Sequence, residues 1–349
     1  MFTRLKTISL LVCICFLVSA CSLSIQKAED LGVFYSSDSG LTWQQRVFVQ
    51  KGQKKDVTIA SLEVYNFIFH PSDENILFAS TSSGIYKSTD KGQHWTATQL
   101  QNNTYADFVL DPSTPTIQYA VFGGKILKSS NDGQAWAQIY VERPGIAITS
   151  MAINQNSTNI IFASTSAKGV LKSEDYGNTW TLVAELKDII KKIIIAPENP
   201  SIMYGILTTN GFAKSTDGGM TWDEDIAKTL DAYTGAKVIK SFHIRPRTSG
   251  DIIATSNYGI LRSTDGGEVW QPLPTVVPFK TLPINDAVIN PSNVNEIFFC
   301  AGNTFYRSVD GGESWQTLKT LSTTQNIAII RMNINNPADM YAGITKVTK

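Results

Sequence analysis

Gly259-Ile-Leu-Arg-Ser263-Thr-Asp265-Gly-Gly267-Glu-Val-Trp270 reads as an apolar pair, a basic residue and then S-x-D-x-G-x-x-W. Gly84-Ile-Tyr-Lys-Ser88-Thr-Asp90-Lys-Gly92-Gln-His-Trp95 repeats it. All seven tryptophans of the chain close a copy: Trp43, Trp95, Trp136, Trp180, Trp222, Trp270 and Trp315. The third motif position holds Asp38, Asp90, Asn131, Asp175, Asp217, Asp265 and Asp310. Successive tryptophans lie 52, 41, 44, 42, 48 and 45 residues apart. A period of about 40–50 residues marks a propeller, a solenoid or a tandem array.

Between motifs the chain is a series of short apolar, β-branched runs separated by Asn, Gly, Pro and Ser. In residues 148–183 the runs are Ile148 to Ile153, Ile160 to Ser164, Val170 to Ser173 and Trp180 to Val183. These are strand and turn signals, and four short antiparallel strands per repeat make a propeller blade. No stretch carries a helical period; Ala184 to Lys192 comes nearest and is short. The ends predict closure. After Trp315 only two strands remain, Ile327 to Ile334 and Met340 to Ile344, and before the first motif only one, Gly32 to Ser36. Joined, they complete one blade and remove two open edges. The expected fold is all-β, a seven-bladed propeller of four-stranded antiparallel blades over residues 32–349, with one blade shared between the termini.

The motif is expected to be structural. Its Asp accepts backbone N–H groups in the turn between third and fourth strands, its Gly takes φ > 0, and its Trp packs into the blade core, burying roughly 150–250 Å². Asn131 keeps the acceptor without the charge, so hydrogen bonding suffices. Each copy fixes one carboxylate where calcium wants about 6–8 oxygens, so no metal is expected. These residues resemble the Asp-box, or BNR, repeat family, and the resemblance covers nearly all of the chain after its leader. The family includes sialidases, xyloglucan-degrading enzymes, sortilin-type receptors and photosystem II stability/assembly factors. Dense motifs in one propeller's length are most similar to the assembly-factor group, which implies protein binding.

The first 20 residues read as a lipoprotein signal. Arg4 and Lys6 precede an apolar run from Ile8 to Val18, too short to span a bilayer. The segment Val18-Ser19-Ala20-Cys21 resembles a bacterial lipobox, which implies lipidation of Cys21. Residues 21–31 then form a tether, roughly 40 Å long at most. The expected location is exported and lipid-anchored to a bacterial membrane, the outer one if the cell is Gram-negative, since Ser22 rather than Asp follows the Cys. After cleavage the chain carries 28 basic and 30 acidic residues, and this balance excludes a polyanion such as nucleic acid as partner. Cys300, in the run Ile297-Phe298-Phe299-Cys300-Ala301, is then the sole cysteine apart from the lipid site and reads as a buried strand residue.

Catalytic residues are not found. A sialidase needs three arginines on one carboxylate, a Tyr nucleophile with an acidic partner and an acid/base Asp, and the Arg-Ile-Pro signature near the start is absent. Arg262 and Arg307 share a repeated basic position with Lys87, Lys128, Lys172 and Lys214 and look structural; Arg245 and Arg247 flank Pro246 on the wrong face. Xyloglucan-degrading relatives use a cleft between two propellers. His70, His94 and His243 are scattered and form no triad or metal pattern. Function is expected instead on the face carrying the connections between blades, around the channel mouth. The longest connections are Gln44 to Leu62, Asp223 to Lys240 and Gln271 to Asn285, followed by Ala137 to Ala147. They offer Lys51, Lys54, Lys55, Tyr140, Glu142, Arg143, Tyr233, Lys237, Phe279 and Lys280 as candidate binding residues. The expected role is a non-catalytic, monomeric scaffold or assembly factor for a membrane or envelope protein, with no cofactor. A carbohydrate-binding propeller is the second reading, and a glycoside hydrolase the third.

Overall fold

The computed structural model describes residues 30–248, 250–278, 282–318 and 321–347. The leader, Cys21 and most of the tether lie outside the described residues. The described chain is a ring of seven antiparallel blades. Blade 4 shows the pattern: Ile148–Ile153, Ile161–Thr165, Gly169–Ser173 and Thr181–Glu185 pair in sequence order, from the channel to the rim. Blade 5 departs from it. Its outer strand is reduced to one bridge between Lys214 and Asp223, because the chain turns there into a 3-10 helix, Asp225–Leu230, which the sequence reading did not anticipate.

The termini share blade 1. Asn326–Met332 and Met340–Thr345 supply its inner strands, and Gly32–Ser36 and Gln44–Gln45 its outer ones. The register runs from Gly32 opposite Ile344 to Ser36 opposite Met340. Tyr35 adds a hydroxyl bond of 2.5 Å to Asp339. Strand direction defines two faces. The upper one bears the connections between blades and the turns from second to third strand, and the lower one bears the motif turns.

Each motif turn is closed as its residue types require. The Ser36 hydroxyl donates to Asp38 and accepts the Gly40 amide, while Asp38 accepts the Thr42 amide and hydroxyl. Asn131 accepts the Ser129 hydroxyl and the Ala135 amide in the same way. In that copy Ala135 has no hydroxyl for a second carboxylate oxygen to accept, so the amide is enough. The fourth position, as well as the glycine, is left-handed: Lys91 has φ 58°, Tyr176 φ 60° and Gly218 φ 72°. The tryptophans pack in the seams between blades rather than inside one blade. Trp43 stacks on Phe305 of blade 7 at 4.3 Å, and Trp180 meets Tyr140 of blade 3 at 5.8 Å. The basic position completes three of these seams. Lys87, Lys128 and Lys214 reach Asp132, the Tyr176 carbonyl and Glu268 in the next blade's motif turn.

The innermost strands share a frame that decides what the channel sees. It begins with an apolar anchor, then two residues across a bulge, as in Ile148-Thr149-Ser150, Ile190-Lys191-Lys192, Ile239-Lys240-Ser241 and Ile284-Asn285-Asp286. The anchors Ile148, Ile190, Ile239 and Ile284 are buried. The second and third residues of the frame point toward the channel or the neighbouring blade.

Candidate binding site in the channel

The channel holds a cavity of about 720 Å³ lined by Tyr65, Tyr105, Asp107, Lys191, Lys192, Lys240, His243, Asp286 and Arg331, among others. Two buried carboxylates organise its wall. Asp107 of blade 3 accepts the Ser150 hydroxyl and the Met151 amide of blade 4 and the Lys192 ammonium of blade 5, the last at 2.8 Å. Asp286 of blade 7 accepts the His243 ring of blade 6 at 2.7 Å, and Arg331 and the Ile330 amide of blade 1 at 2.8 and 2.9 Å. Burial alone would raise the Asp286 pKa; the charges of His243 and Arg331 outweigh it and hold the carboxyl near 2. Each carboxylate therefore ties three consecutive blades together.

Nearer the upper face a second set of bonds links blades 4, 5 and 7 each to the next. Thr149 donates to the Ile190 carbonyl, Lys191 to that of Ile239 and Asn285 to that of Ile327. In each case the second residue of one frame reaches the anchor carbonyl of the next. Lys240 occupies the same position in blade 6, but no hydrogen bond or ion pair joins it to another of the described residues. Burial among the channel walls lowers the pKa of both Lys191 and Lys240, although both remain open to the cavity. Tyr65 and Tyr105 stand on blades 2 and 3, across the ring, with Tyr105 against Phe122 at 5.8 Å.

Several residues expected at the mouth lie elsewhere, for a common reason. The three longest connections cover the next blade's tryptophan. Four motif tryptophans donate their indole N–H to their own motif glycine: Trp43, Trp136, Trp180 and Trp222. Trp95 instead donates to Arg46, and Trp315 to Pro274. At Trp270 the Gly267 carbonyl is taken by Thr229, and the indole N–H is left without a partner. Tyr233 is accordingly packing rather than lining: its hydroxyl donates to the Trp270 carbonyl at 2.7 Å and its ring lies on Tyr258. Lys237 pairs with Asp231 beside it.

Lys51, Lys54 and Lys55 stand exposed at the tip of a hairpin, Phe48–Gln50 with Val57–Thr58. Its base is fixed to blade 2 by the Trp95 amide and the His94 ring, on the rim. Tyr140 lies on the outer strand of blade 3 and donates to Glu142, which also accepts the Arg143 amide. Phe279 and Lys280 lie outside the described residues. The residues that line the channel come instead from innermost strands. The signal for them was the repeated frame of Ile, two variable residues and an apolar residue, with lysine in the variable places of blades 5 and 6.

The arginines do not converge as a carboxylate clamp. Arg46 lies over the Tyr35 ring, Arg143 is beside Glu142, Arg245 and Arg262 share Asp251, Arg307 holds Glu296, and among the described arginines only Arg331 lines the channel cavity. The mouth tyrosine Tyr65 donates to Glu63 at 2.9 Å, and burial together with that carboxylate pushes its pKa up to about 12.

No known protein family matches the sequence, and no curated protein matches it as a relative. Solved structures do match. A GH74 xyloglucanase from Xanthomonas campestris superposes with TM-score 0.63 at 15% identity, over 86% of this chain and 52% of the enzyme. YCF48 bound to D1 peptide superposes with TM-score 0.61 at 15% identity, over 82% of this chain and 94% of that one. The extracellular domain of a putative one-component system from B. thetaiotaomicron gives TM-score 0.61 at 12% identity, over 87% of this chain and 43% of that one. What they share with it is the fold. The chain spans about half the length of the xyloglucanase, and at these identities an enzyme and a peptide-binding protein are equally compatible with it.

Proposed function

We propose that the chain is a lipid-tethered, non-catalytic propeller of the Asp-box type, and that its upper channel mouth binds a segment of a membrane or envelope protein. The observation that carries this reading is that Asp30, where the described chain begins, lies on the face of the mouth. Asp30, the first described residue, is pinned to the connection between blades 7 and 1. Its carboxylate accepts the Thr324 amide and hydroxyl, and its carbonyl accepts the Thr323 hydroxyl. A lipid on Cys21 would therefore hold the mouth toward the membrane, with roughly 30 Å of chain between Cys21 and Asp30 at full extension. The likeness to YCF48, a propeller of similar length whose solved structure holds a D1 peptide, supports a protein partner.

The non-catalytic part rests on the carboxylates. Hydrolysis of a glycoside needs one carboxylic acid to protonate and a second carboxylate to attack or activate water. The carboxylates that line the cavity, Asp107 and Asp286, are both buried in ion pairs. Carbohydrate binding is the second reading, favoured by Tyr65 and Tyr105 on the wall. A photo-crosslinking amino acid placed at Tyr65, and separately at Met220 in a lower-face motif turn, tests the proposal in intact cells. Crosslinks to a membrane or envelope protein are expected from Tyr65. Crosslinks from Met220 alone would overturn it.

A further inference from the structure

We infer that Lys240, with Lys191 beside it, anchors a carboxylate of the bound segment. This rests on the protein-binding reading and names the chemistry of what is bound. The argument begins from the set of bonds between blades. Thr149, Lys191 and Asn285 each donate to the anchor carbonyl of the next blade. Lys240 stands at the equivalent place in blade 6 and does not. The neighbouring carbonyl of Asn285 is taken by the Thr255 hydroxyl, itself bonded to Ser241. That acceptor is one residue past the anchor Ile284, and the Lys240 ammonium is left to the cavity.

The other cations of the channel are committed. Lys192 is neutralised by Asp107, and Arg331 by Asp286. Lys191 donates one hydrogen bond to the Ile239 carbonyl, which places its ammonium against the strand that carries Lys240. The nearest acid to Lys191, Asp188, is occupied by the amides of Ile189, Thr209 and Asn210 and by the Thr209 hydroxyl. Two ammonium groups therefore share one wall without a carboxylate on either. Burial lowers the pKa of both, a cost that a bound anion would relieve. Ammonium groups act as point charges, without the planar fork by which arginine grips phosphate. An anion suits them, and on the protein-binding reading a peptide supplies a carboxylate from an acidic side chain or from its C-terminus. Tyr65 and Tyr105 line the opposite wall, where an apolar or aromatic neighbour of that carboxylate would rest.

The test uses the full chain in detergent and four fluorescein-labelled peptides, octaglutamate and octaglutamine, each with a free or an amidated C-terminus, followed by anisotropy. Octaglutamate is expected to bind, more weakly as salt rises. Lys240→Gln should weaken it about tenfold, Lys191→Gln by less, and Lys240→Arg should restore most of it. Binding of octaglutamine only when its terminus is free would assign the anchor to a C-terminal carboxylate. No binding by any peptide, or binding unchanged in Lys240→Gln, overturns the inference. The protein-binding reading fails separately. If wild type still recovers a membrane protein that Lys240→Gln also recovers, the carboxylate anchor is wrong and the reading stands; if wild type recovers none, the reading itself falls.

Discussion

Replacing Asp286 with Ala should loosen the ring where its two ends meet. Asp286 belongs to blade 7, and two of its partners, the Ile330 amide and Arg331, belong to the shared blade 1. A third, His243, comes from blade 6. The carboxyl is held near 2 against an ordinary 3.8, and that difference is worth roughly 2–3 kcal/mol at neutral pH. Removing it also leaves the Ile330 amide and the Arg331 guanidinium short of an acceptor. Breaking a buried pair from one side costs about 3–5 kcal/mol, so Asp286→Ala should lose roughly that much. For a domain of this size the loss corresponds to about 4–8 °C in melting temperature. Tryptophan fluorescence during thermal and urea unfolding reads it directly. The pH dependence supplies an internal control. A carboxyl with a lowered folded pKa stabilises above its unfolded pKa and loses that stabilisation as pH falls through the folded one. The gap between wild type and variant should therefore hold from pH 7 to about 4 and shrink toward pH 2. A variant within about 0.5 kcal/mol of wild type, or a gap that does not narrow in acid, would refute the reasoning.

The motif turns make a graded prediction. Asp217→Asn keeps the acceptor for the Thr221 amide and should cost less than half of what Asp217→Ala costs, about 1–2 kcal/mol by urea unfolding, because Asn131 already does this work in blade 3. Lys168 sits at φ 68° in an exposed turn, so Lys168→Gly should stabilise by roughly 0.5–1 kcal/mol, measured by the same unfolding midpoint. Cys300 is buried, and burial pushes its thiol pKa well up, so a thiol reagent should leave it unmodified in the native protein and label it in denaturant. Trp95 is 1% exposed in the seam between blades 1 and 2, so Trp95→Ala should cost roughly 3–5 kcal/mol and lower the melting temperature accordingly.

The motif made the fold legible because it repeats. Seven copies of Ser, Asp or Asn, Gly and Trp at fixed offsets each fix a turn, and a turn at a fixed interval fixes a blade. The pairing of Gly32–Ser36 with Met340–Thr345 was legible by counting strands at each end. The site was less so. Loop length pointed to Lys51 and Tyr233, but loop length does not say what a loop covers. The connections through Arg46, Tyr233 and Pro274 are long because they cross the next blade's tryptophan on the rim, and their polar groups are spent on it. The lysines at 191 and 240 were hidden because Ile-Lys-Lys-Ile and Ile-Lys-Ser-Phe look like ordinary half-buried strands. Only alignment of the seven innermost strands shows that the second and third places of the frame face the channel. Pairing was beyond the sequence altogether, since Asp107 and Lys192 come from different blades, 85 residues apart.

The central claim is that the upper mouth, on the tethered face, holds a membrane or envelope protein. Affinity purification of the full lipidated chain from detergent-solubilised membranes, with mass spectrometry of what is recovered, tests it most directly. Wild type and a lower-face variant such as Met220→Glu should recover the same membrane protein or complex, and a mouth variant carrying Tyr65→Ala, Lys191→Gln and Lys240→Gln should lose it. Recovery undiminished in the mouth variant, or lost only in the lower-face variant, would contradict the account.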